Sequence, residues 1–382
     1  MKKVLLLGAS GSIGGQTLDI IRDNPSDFTL VAFSVGKQTE KIDEILKDHH
    51  EVRYVYLIDA SIARKYKKLY PNITFFYGDK GLLKLVKKAD YEMCVEALVG
   101  FVGLEPAIYV LKRNKILCLA NKEALVTGGH IINGLLKRGK GKLYPIDSEH
   151  VAIAKCLAHT SKDNVDKIIL TASGGALRKV PLEDLPKMKA SDALKHPTWK
   201  MGAKITIDCA TMMNKGFEII EAYYLFHYPL GRIKVMMHDE SLVHSMVKTK
   251  DGRYIIDYGK PDMHNPIRYA MYEGKAYTDV IEVKDLKELK DCHFHRYNPK
   301  RYPATEVAKK ALQKGGAALV ALNASNEVLV HAFLEDKISF DRIATCVNTI
   351  VENTPKIKKP RLSQIKFIND ISIERVEEVI KL

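Results

Sequence analysis

Three glycines, Gly8, Gly11 and Gly14, follow directly on the apolar run Val4–Leu7 and lead into the helical pattern Gln16–Arg22, so they stand where a strand turns into a helix. That context constrains the chain more than any other feature. Small residues let the backbone approach a pyrophosphate, and the free amides of the following helix favour its negative charge. The spacing differs from the standard dinucleotide fingerprint, and a glycine trio alone is a weak signal. The strand and helix around it give it weight. An NAD-binding chain usually carries an acidic side chain about 20 residues further on, at the end of the second strand. Here the second apolar run, Thr29–Ser34, is followed by Gly36, Lys37 and Gln38, and a lysine there suits a 2′-phosphate. The expected cofactor is NADP rather than NAD.

The remainder of the first 150 residues keeps the same rhythm. Strand patterns at 3–7, 29–34, 54–58, 73–76, 92–95, 116–119 and 142–146 alternate with amphipathic segments such as Lys41–Lys47 and Ser61–Leu69. Alternation of this kind predicts a Rossmann-like, doubly wound parallel sheet with right-handed crossovers. Beyond it the pattern changes. Strands are expected at 166–171, 204–208, 233–238, 243–248 and 254–258, in an α+β domain covering 151–280. Residues 281–300 have a charged, linker-like composition. The segment 301–382 carries helical runs at Ala304–Lys314, Ala317–Leu334, Phe340–Glu352 and Ile373–Leu382, which suggest a small bundle.

Composition narrows the class. A chain of 382 residues, 46% of them hydrophobic, can bury a large core and divide into two or three domains. The N-terminal Met1, Lys2 and Lys3 run straight into the first strand, which argues against a signal or transit peptide, and no apolar stretch is expected to span a membrane. Six cysteines without a Cys-x-x-Cys pair fit reduced thiols in a cytoplasm. The net charge of +14 raises the question of a nucleic-acid partner. The lysines are spread over the whole chain, with no basic tail, so a solvated surface that steers an anionic small substrate is the expectation.

Polar residues with chemistry gather beyond the sixth strand pattern. Asn121, Lys122 and Glu123 follow Ile116–Leu119, at the carboxyl edge where open α/β sheets bind ligands. Asp147 and Glu149 stand two apart; in an extended chain they share a face and could present two carboxylates to a hard cation. Residues 205–218 read as a strand entering a helix on which Asn214, Lys215 and Glu218 share a face. Their flanking residues are small or apolar, which places that trio inside the protein. Ser173, Gly174 and Gly175 could offer a hydroxyl and amides to a phosphate. The loop His196–Gly202, with Trp199 and Met201, has the composition of a lid over a ligand.

Taken in order, these strings resemble the 1-deoxy-D-xylulose 5-phosphate reductoisomerase family over essentially the whole chain: Gly8–Gly14, Asn121–Glu123, Asp147–His150, Ser173–Gly175, His196–Gly202, Ala210–Glu218, His244–Val247, Pro261–Met263 and Ala321–Glu327. The resemblance implies an NADPH domain over 1–150, a catalytic domain with the lid over 151–280, and a C-terminal helical domain over 301–382. It also implies a homodimer and one Mg²⁺ or Mn²⁺ per subunit, held by Asp147, Glu149 and Glu218. The substrate would be a phosphorylated ketose, isomerised and then reduced by NADPH to 2-C-methyl-D-erythritol 4-phosphate. The resemblance assigns phosphate contacts to Ser173, Asn214 and Lys215 and further substrate contacts to Lys122, Ser148, Glu149, His196, Trp199, Met201 and Glu218. Its catalytic set is Lys122, Asp147, Glu149, His196 and Glu218, and its cofactor set is Gly8, Ser10, Gly11, Ser12, Ile13, Gly36, Lys37, Gln38, Asn121, Glu123 and Gly202. Cys209 departs from the family, which usually has a serine there against the phosphate. A semialdehyde or homoserine dehydrogenase would share the first domain but lack the carboxylate set and the lid, and against a basic nucleotide- or nucleic-acid-binding protein that has lost catalysis stand the charged matching positions, all intact.

Overall fold

The first part of the chain alternates strand and helix: β1 (Lys2–Leu7), α1 (Ser12–Asp23), β2 (Phe28–Ser34), α2 (Lys41–Asp48), β3 (Tyr54–Leu57), α3 (Ala60–Leu69), β4 (Thr74–Tyr77), α4 (Gly81–Lys88), β5 (Met93–Glu96), α5 (Leu104–Lys112), β6 (Ile116–Leu119), α6 (Lys122–Lys137) and β7 (Lys142–Pro145). There follow α7 (Ser148–Ala158), β8 (Val165–Ala172), α8 (Ala190–Ala193), α9 (Ala203–Thr211), α10 (Met213–Phe226), β9 (Ile233–His238), β10 (Val243–Thr249), β11 (Tyr254–Tyr258), α11 (His264–Met271), β12 (Val280–Val283), β13 (Phe294–Arg296), α12 (Pro303–Lys314), α13 (Gly316–Leu334), α14 (Phe340–Asn353) and α15 (Leu362–Lys381). The computed structural model describes residues 1–195, 198–199, 201–275 and 280–381. Two compact units emerge: Met1–Ala124 with Ile132–Asp147 and Asp262–Tyr277, and Leu125–Ile131 with Ser148–Pro261 and Thr278–Leu382.

The first unit is built on a parallel sheet of order β4-β3-β2-β1-β5-β6-β7. Val4, Leu5, Leu6 and Leu7 are all fully buried, as expected of a central strand covered on both faces. The helices are amphipathic: α2 buries Ile42, Ile45 and Leu46 and exposes Asp43, Glu44 and Lys47. α11, although late in the chain, adds Ile267, Ala270 and Met271 to this core. The strand order reverses between β1 and β5, which opens a crevice at the carboxyl edge of the sheet.

The second unit holds a mixed sheet of order β12-β11-β10-β8-β9-β13. Only β8 and β9 run parallel, and the crossover between them carries α8, α9 and α10. α12 to α15 form the helical part, sharing a core with α9 and α10 through residues such as Ile207, Phe217, Leu322, Phe333 and Ile343. The doubly wound sheet, the central α+β sheet and the helical C-terminal part agree with the fold class expected from sequence.

Four local expectations are corrected. Residues 204–208 are helical, within α9, and not a strand. The β-branched run Ile205, Thr206, Ile207 imitates a strand, but packing at helical spacing against the bundle decides. The charged stretch 281–300 contributes two short edge strands, β12 and β13, whose polar outward residues hide the pairing. α15 begins at Leu362, eleven residues before the expected start, because its polar face is wide and only Ile365, Asn369, Ser372 and Val376 are buried. Gly316–Leu334 is long and apolar enough by length and composition to cross a membrane, contrary to expectation; most of it is buried inside the helical core, which explains its apolar character all round.

Candidate active site

In the first unit the glycine turn has the geometry its sequence requires. Gly8 has a φ of +86°, and a Cβ there would come within 2.5 Å of the Ala97 carbonyl oxygen at the end of β5. A side chain at Gly14 would meet the Gly8 carbonyl at 2.2 Å, so α1 starts close against the turn only because both are glycine. The Gly8 amide donates to Ser34 Oγ at 2.8 Å and the Ala9 amide to the Ser34 carbonyl at 2.8 Å, fastening the turn to β2. Gly11 and Ser12 are exposed, while Ser10 and Ile13 are half-buried. Lys37 and Gln38 are exposed on the loop after β2, next to half-buried Gly36. Sequence reasoning missed Ser34 and also Lys41, whose Nζ donates to the Ser10 carbonyl at 3.0 Å and brings a positive charge to the turn. Only the order of strands reveals these neighbours.

Asn121 caps α6: its side-chain oxygen accepts from the Ala124 amide at 2.8 Å. Its amide nitrogen donates to Leu98 and Gly100 carbonyls, at 3.0 and 2.9 Å, and to Glu123 Oε2 at 3.1 Å. Lys122 Nζ lies 2.8 Å from Asp147 Oδ2, with both side chains nearly buried. Asp147 is the residue before α7, so Glu149 lies in the first turn of a helix and the extended geometry assumed for the pair does not apply.

In the second unit, the expected trio is inside the protein. Asn214, Lys215 and Glu218 lie on α10 at 9%, 3% and 0% exposure, so the flanking apolar residues correctly placed them in the interior. Asn214 donates to one oxygen of Glu218 and Lys215 to the other. Lys215 also reaches Glu149 Oε1 at 2.8 Å, and Ser148 Oγ donates to Glu149 Oε2 at 2.6 Å. Burial alone would lower the Lys215 pKa, but the carboxylates of Glu149 and Glu218 outweigh it and hold the group above its ordinary value. His150, fully buried, places its Nε2 3.0 Å from the Glu218 carbonyl and fixes the helix that presents this carboxylate. Two carboxylates converging on one cationic group are hard oxygen donors of the type that suits Mg²⁺ or Mn²⁺.

The break between α9 and α10 explains how the trio is presented. Met212 adopts a left-handed conformation, φ 62°, ending α9 and starting a new helix one residue later. Thr305 donates to its carbonyl at 2.8 Å and stabilises the break. Asn214 and Lys215 thereby stand in the first turn of α10, where free amides and the helix dipole favour an anion. The Ser173–Gly175 turn packs on the end of α9: a Cβ at Gly175, φ +70°, would meet Ala210 Cα at 2.6 Å and the Cys209 carbonyl carbon at 2.8 Å. Ser173, Cys209, Asn214 and Lys215 are thus brought to one region of this unit. Asp208 is held by Lys204 and by Asn326 of α13, each at 2.8 Å, which anchors α9 to the helical core. On the loop before α9, Trp199 and Met201 are half-buried and Gly202 precedes the helix. His196, expected there, lies outside the described residues.

Family models match most of the chain: 1-deoxy-D-xylulose 5-phosphate reductoisomerase over residues 4–129, its C-terminal domain over 143–226, and a further DXP reductoisomerase C-terminal domain over 258–374. The reductoisomerase of Geobacillus sp. (strain WCH70) is 41% identical over 371 residues, covering 97% of each chain. The chain belongs to the 1-deoxy-D-xylulose 5-phosphate reductoisomerase family. The reductoisomerase of Lysinibacillus sphaericus (strain C3-41) is 39% identical over 386 residues, 100% of both chains. Among solved structures, a DOX-P reductoisomerase in complex with NADPH, fosmidomycin and magnesium superposes with a TM-score of 0.90 at 31% identity, covering 100% of this chain and 99% of that one. The reductoisomerase from Zymomonas mobilis in complex with NADPH gives 0.88 at 31% identity, with 99% of each chain covered.

Proposed function

We propose that the chain carries out its family's reaction with the residues assigned above. It isomerises 1-deoxy-D-xylulose 5-phosphate to a branched aldehyde and reduces that aldehyde with NADPH to 2-C-methyl-D-erythritol 4-phosphate, in isoprenoid precursor biosynthesis. The observation that carries this reading is the group of Asn214, Lys215 and Glu218, buried at the start of α10, with Glu149 of α7 joined to Lys215, in a chain of this family. Asp147, Glu149 and Glu218 are the ligands for one Mg²⁺ or Mn²⁺. When bound, the cation supplies Lewis acidity to the substrate carbonyl.

The chain's own residues do the rest. Ser173, Cys209, Asn214 and Lys215 hold the substrate phosphate at the positive end of α10, and binding energy gathered there positions the carbons that react. Lys122 pairs with Asp147 and, with Ser148, orients the substrate hydroxyls. His196, Trp199 and Met201 close over the substrate and exclude water while the aldehyde awaits its hydride. Gly8, Ser10, Gly11, Ser12 and Ile13 receive the NADPH pyrophosphate, Gly36, Lys37 and Gln38 its 2′-phosphate, and Asn121, Glu123 and Gly202 complete the cofactor site. Residues 1–150 serve as the NADPH domain, 151–280 as the catalytic domain, whose sheet the edge strands of 281–300 extend, and 301–382 as the C-terminal domain. The working form is a cytoplasmic homodimer.

The experiment is an NADPH oxidation assay with the ketose phosphate as sole substrate. Turnover that requires Mg²⁺ or Mn²⁺, stops with a chelator and yields the branched tetritol phosphate supports the reading. Oxidation that proceeds equally without divalent metal overturns it. Light scattering of the purified chain tests the dimer.

A further inference from the structure

β5 lies beside β1 where the first sheet reverses its order, and it ends in a carboxyl group. Glu96 is paired with Leu7 on one side and Leu119 on the other, so it stands at the carboxyl edge between the glycine turn and the segment that begins with Asn121. It is 0% exposed, and neither of its oxygens has a hydrogen-bond partner among the described residues. A buried polar group without a partner is costly, and it is rare in a native fold.

Gly103 leaves the space that this side chain uses. A Cβ there would come within 2.3 Å of Glu96 Oε1 and within 2.6 Å of Asn121 Oδ1, so both oxygens border one small niche. Asn121 in turn ties the loop after β5 to α6, through Leu98, Gly100, Glu123 and Ala124. Its Oδ1 accepts the Ala124 amide and has a second lone pair.

We propose that Glu96 is a positioning residue of the nicotinamide-nucleotide site, holding Asn121, and through it Glu123 and the 98–103 loop, in the arrangement the nucleotide needs. It acts through Asn121. The inference rests on the reading that Asn121 and Glu123 serve the cofactor.

Asn121 Oδ1 is an acceptor, so Glu96 holds it only as a donor, and a carboxyl group is a donor only as the neutral acid. Burial, reinforced by the Glu123 carboxylate, pushes the Glu96 carboxyl well above the usual carboxylate range, which favours the neutral acid. The titratable groups that act here are Glu123 from α6 and the Cys94 thiol on β5, itself pushed up by burial and by Glu96. As pH rises through the folded-state value, Glu96 loses its donor, repels Glu123 and adds a negative charge beside the binding crevice of a polyanion. Affinity for the nucleotide is therefore greatest while Glu96 is protonated and falls as it ionises.

The test is NADPH titration by nucleotide fluorescence, without metal or substrate, between about pH 7 and pH 9.5, above the second ionisation of a phosphate group near 6. Ionisation of Glu96 lowers the wild-type affinity by about three- to tenfold, the size of one positioned hydrogen bond. Glu96→Gln, which offers a permanent donor, stays within about twofold of wild type at pH 7 and keeps its affinity on the alkaline side. Glu96→Ala binds about three- to tenfold more weakly than wild type at pH 7 and shows no further alkaline loss. Superimposed profiles for wild type and Glu96→Gln, or wild-type affinity in a folded Glu96→Ala, overturn the proposal. If neither variant folds, a flat wild-type profile overturns it. Asn121→Ala separates the two levels: unchanged NADPH affinity there removes the cofactor role of Asn121, whereas weakened binding there with unaffected Glu96 variants removes Glu96 alone.

Discussion

Lys215 Nζ lies 2.8 Å from Oε1 of Glu149, an ammonium group standing where two carboxylates converge, since it also donates to Glu218. In Lys215→Met the buried Glu218 loses its counter-charge, and breaking a buried pair costs about 3–5 kcal/mol. Glu149 keeps 21% exposure, so the loss belongs at the lower end of that range. A divalent cation on the same carboxylates replaces the missing charge. Mg²⁺ should therefore raise the melting temperature of Lys215→Met more than that of the wild type, read by calorimetry with and without metal. An equal shift in both proteins would mean that the cation and the ammonium do not share these carboxylates.

Glu218→Gln keeps the size of the side chain and removes one anionic oxygen donor. NADPH affinity should remain within about twofold of wild type while turnover falls by at least about a hundredfold, the scale seen when one group that stabilises developing charge is lost. Saturating Mg²⁺ or Mn²⁺ should not restore it. Near-normal turnover in high metal removes Glu218 from the ligand set.

Lys37 is exposed on the loop after β2, and Lys41 reaches the Ser10 carbonyl from the start of α2. Lys37→Asp should reduce the preference for NADPH over NADH by about tenfold, or 1.4 kcal/mol, mainly through the cofactor KM. Lys41→Ala should weaken both cofactors alike, because its charge lies at the turn and not at the ribose. An unchanged ratio in Lys37→Asp, with a changed one in Lys41→Ala, would transfer the 2′-phosphate to Lys41.

Glu273 takes Lys2 at 2.5 Å and Lys142 at 2.9 Å, joining the segment after α11 to β1 and β7. Those hydrogen bonds and charges hold its carboxyl down to about 2, against an ordinary value of 4.5. A depressed folded-state value means stability that is complete above the unfolded value and is lost as pH falls toward the folded one. Acid unfolding of the first unit between about pH 4.5 and pH 2 should thus contain a contribution from Glu273. Glu273→Gln should be less stable at neutral pH and should lose less on acidification. Parallel stability-pH curves for the two proteins would refute the linkage.

The sequence announced the parts of this site that are local. A glycine turn between a strand and a helix is visible in seven residues, and the burial of Asn214, Lys215 and Glu218 follows from their apolar flanks. Parts set by packing were misjudged or missed. The segment around Ile205 is rich in β-branched residues, yet the helical core claims it as α9. The spacing of Asp147 and Glu149 suggests an extended pair, whereas the first turn of α7 sets their geometry. Ser34, Lys41 and Glu96 approach the glycine turn only because the sheet places β2 and β5 on either side of β1, and no spacing along the chain encodes that.

Cys209 is half-exposed, while the other five cysteines are buried. It sits at the end of α9, against the Ser173–Gly175 turn and three residues before the left-handed Met212. A thiol is a poorer donor than a hydroxyl, so Cys209→Ser should lower the substrate KM by a factor bounded by one neutral hydrogen bond, about 0.5–1.5 kcal/mol, with kcat little changed. The same exposure makes Cys209 the preferred target of a thiol-alkylating reagent, because burial leaves the other thiols inaccessible and holds Cys94, Cys118 and Cys156 above the ordinary thiol range. Alkylation should inactivate the wild type, should be slowed by bound substrate, and should leave Cys209→Ser active. Peptide mapping of the labelled protein identifies the site directly. If KM is unaltered in the serine variant and labelling ignores substrate, the side chain at 209 packs away from the phosphate, and Ser173, Asn214 and Lys215 hold it without that contact.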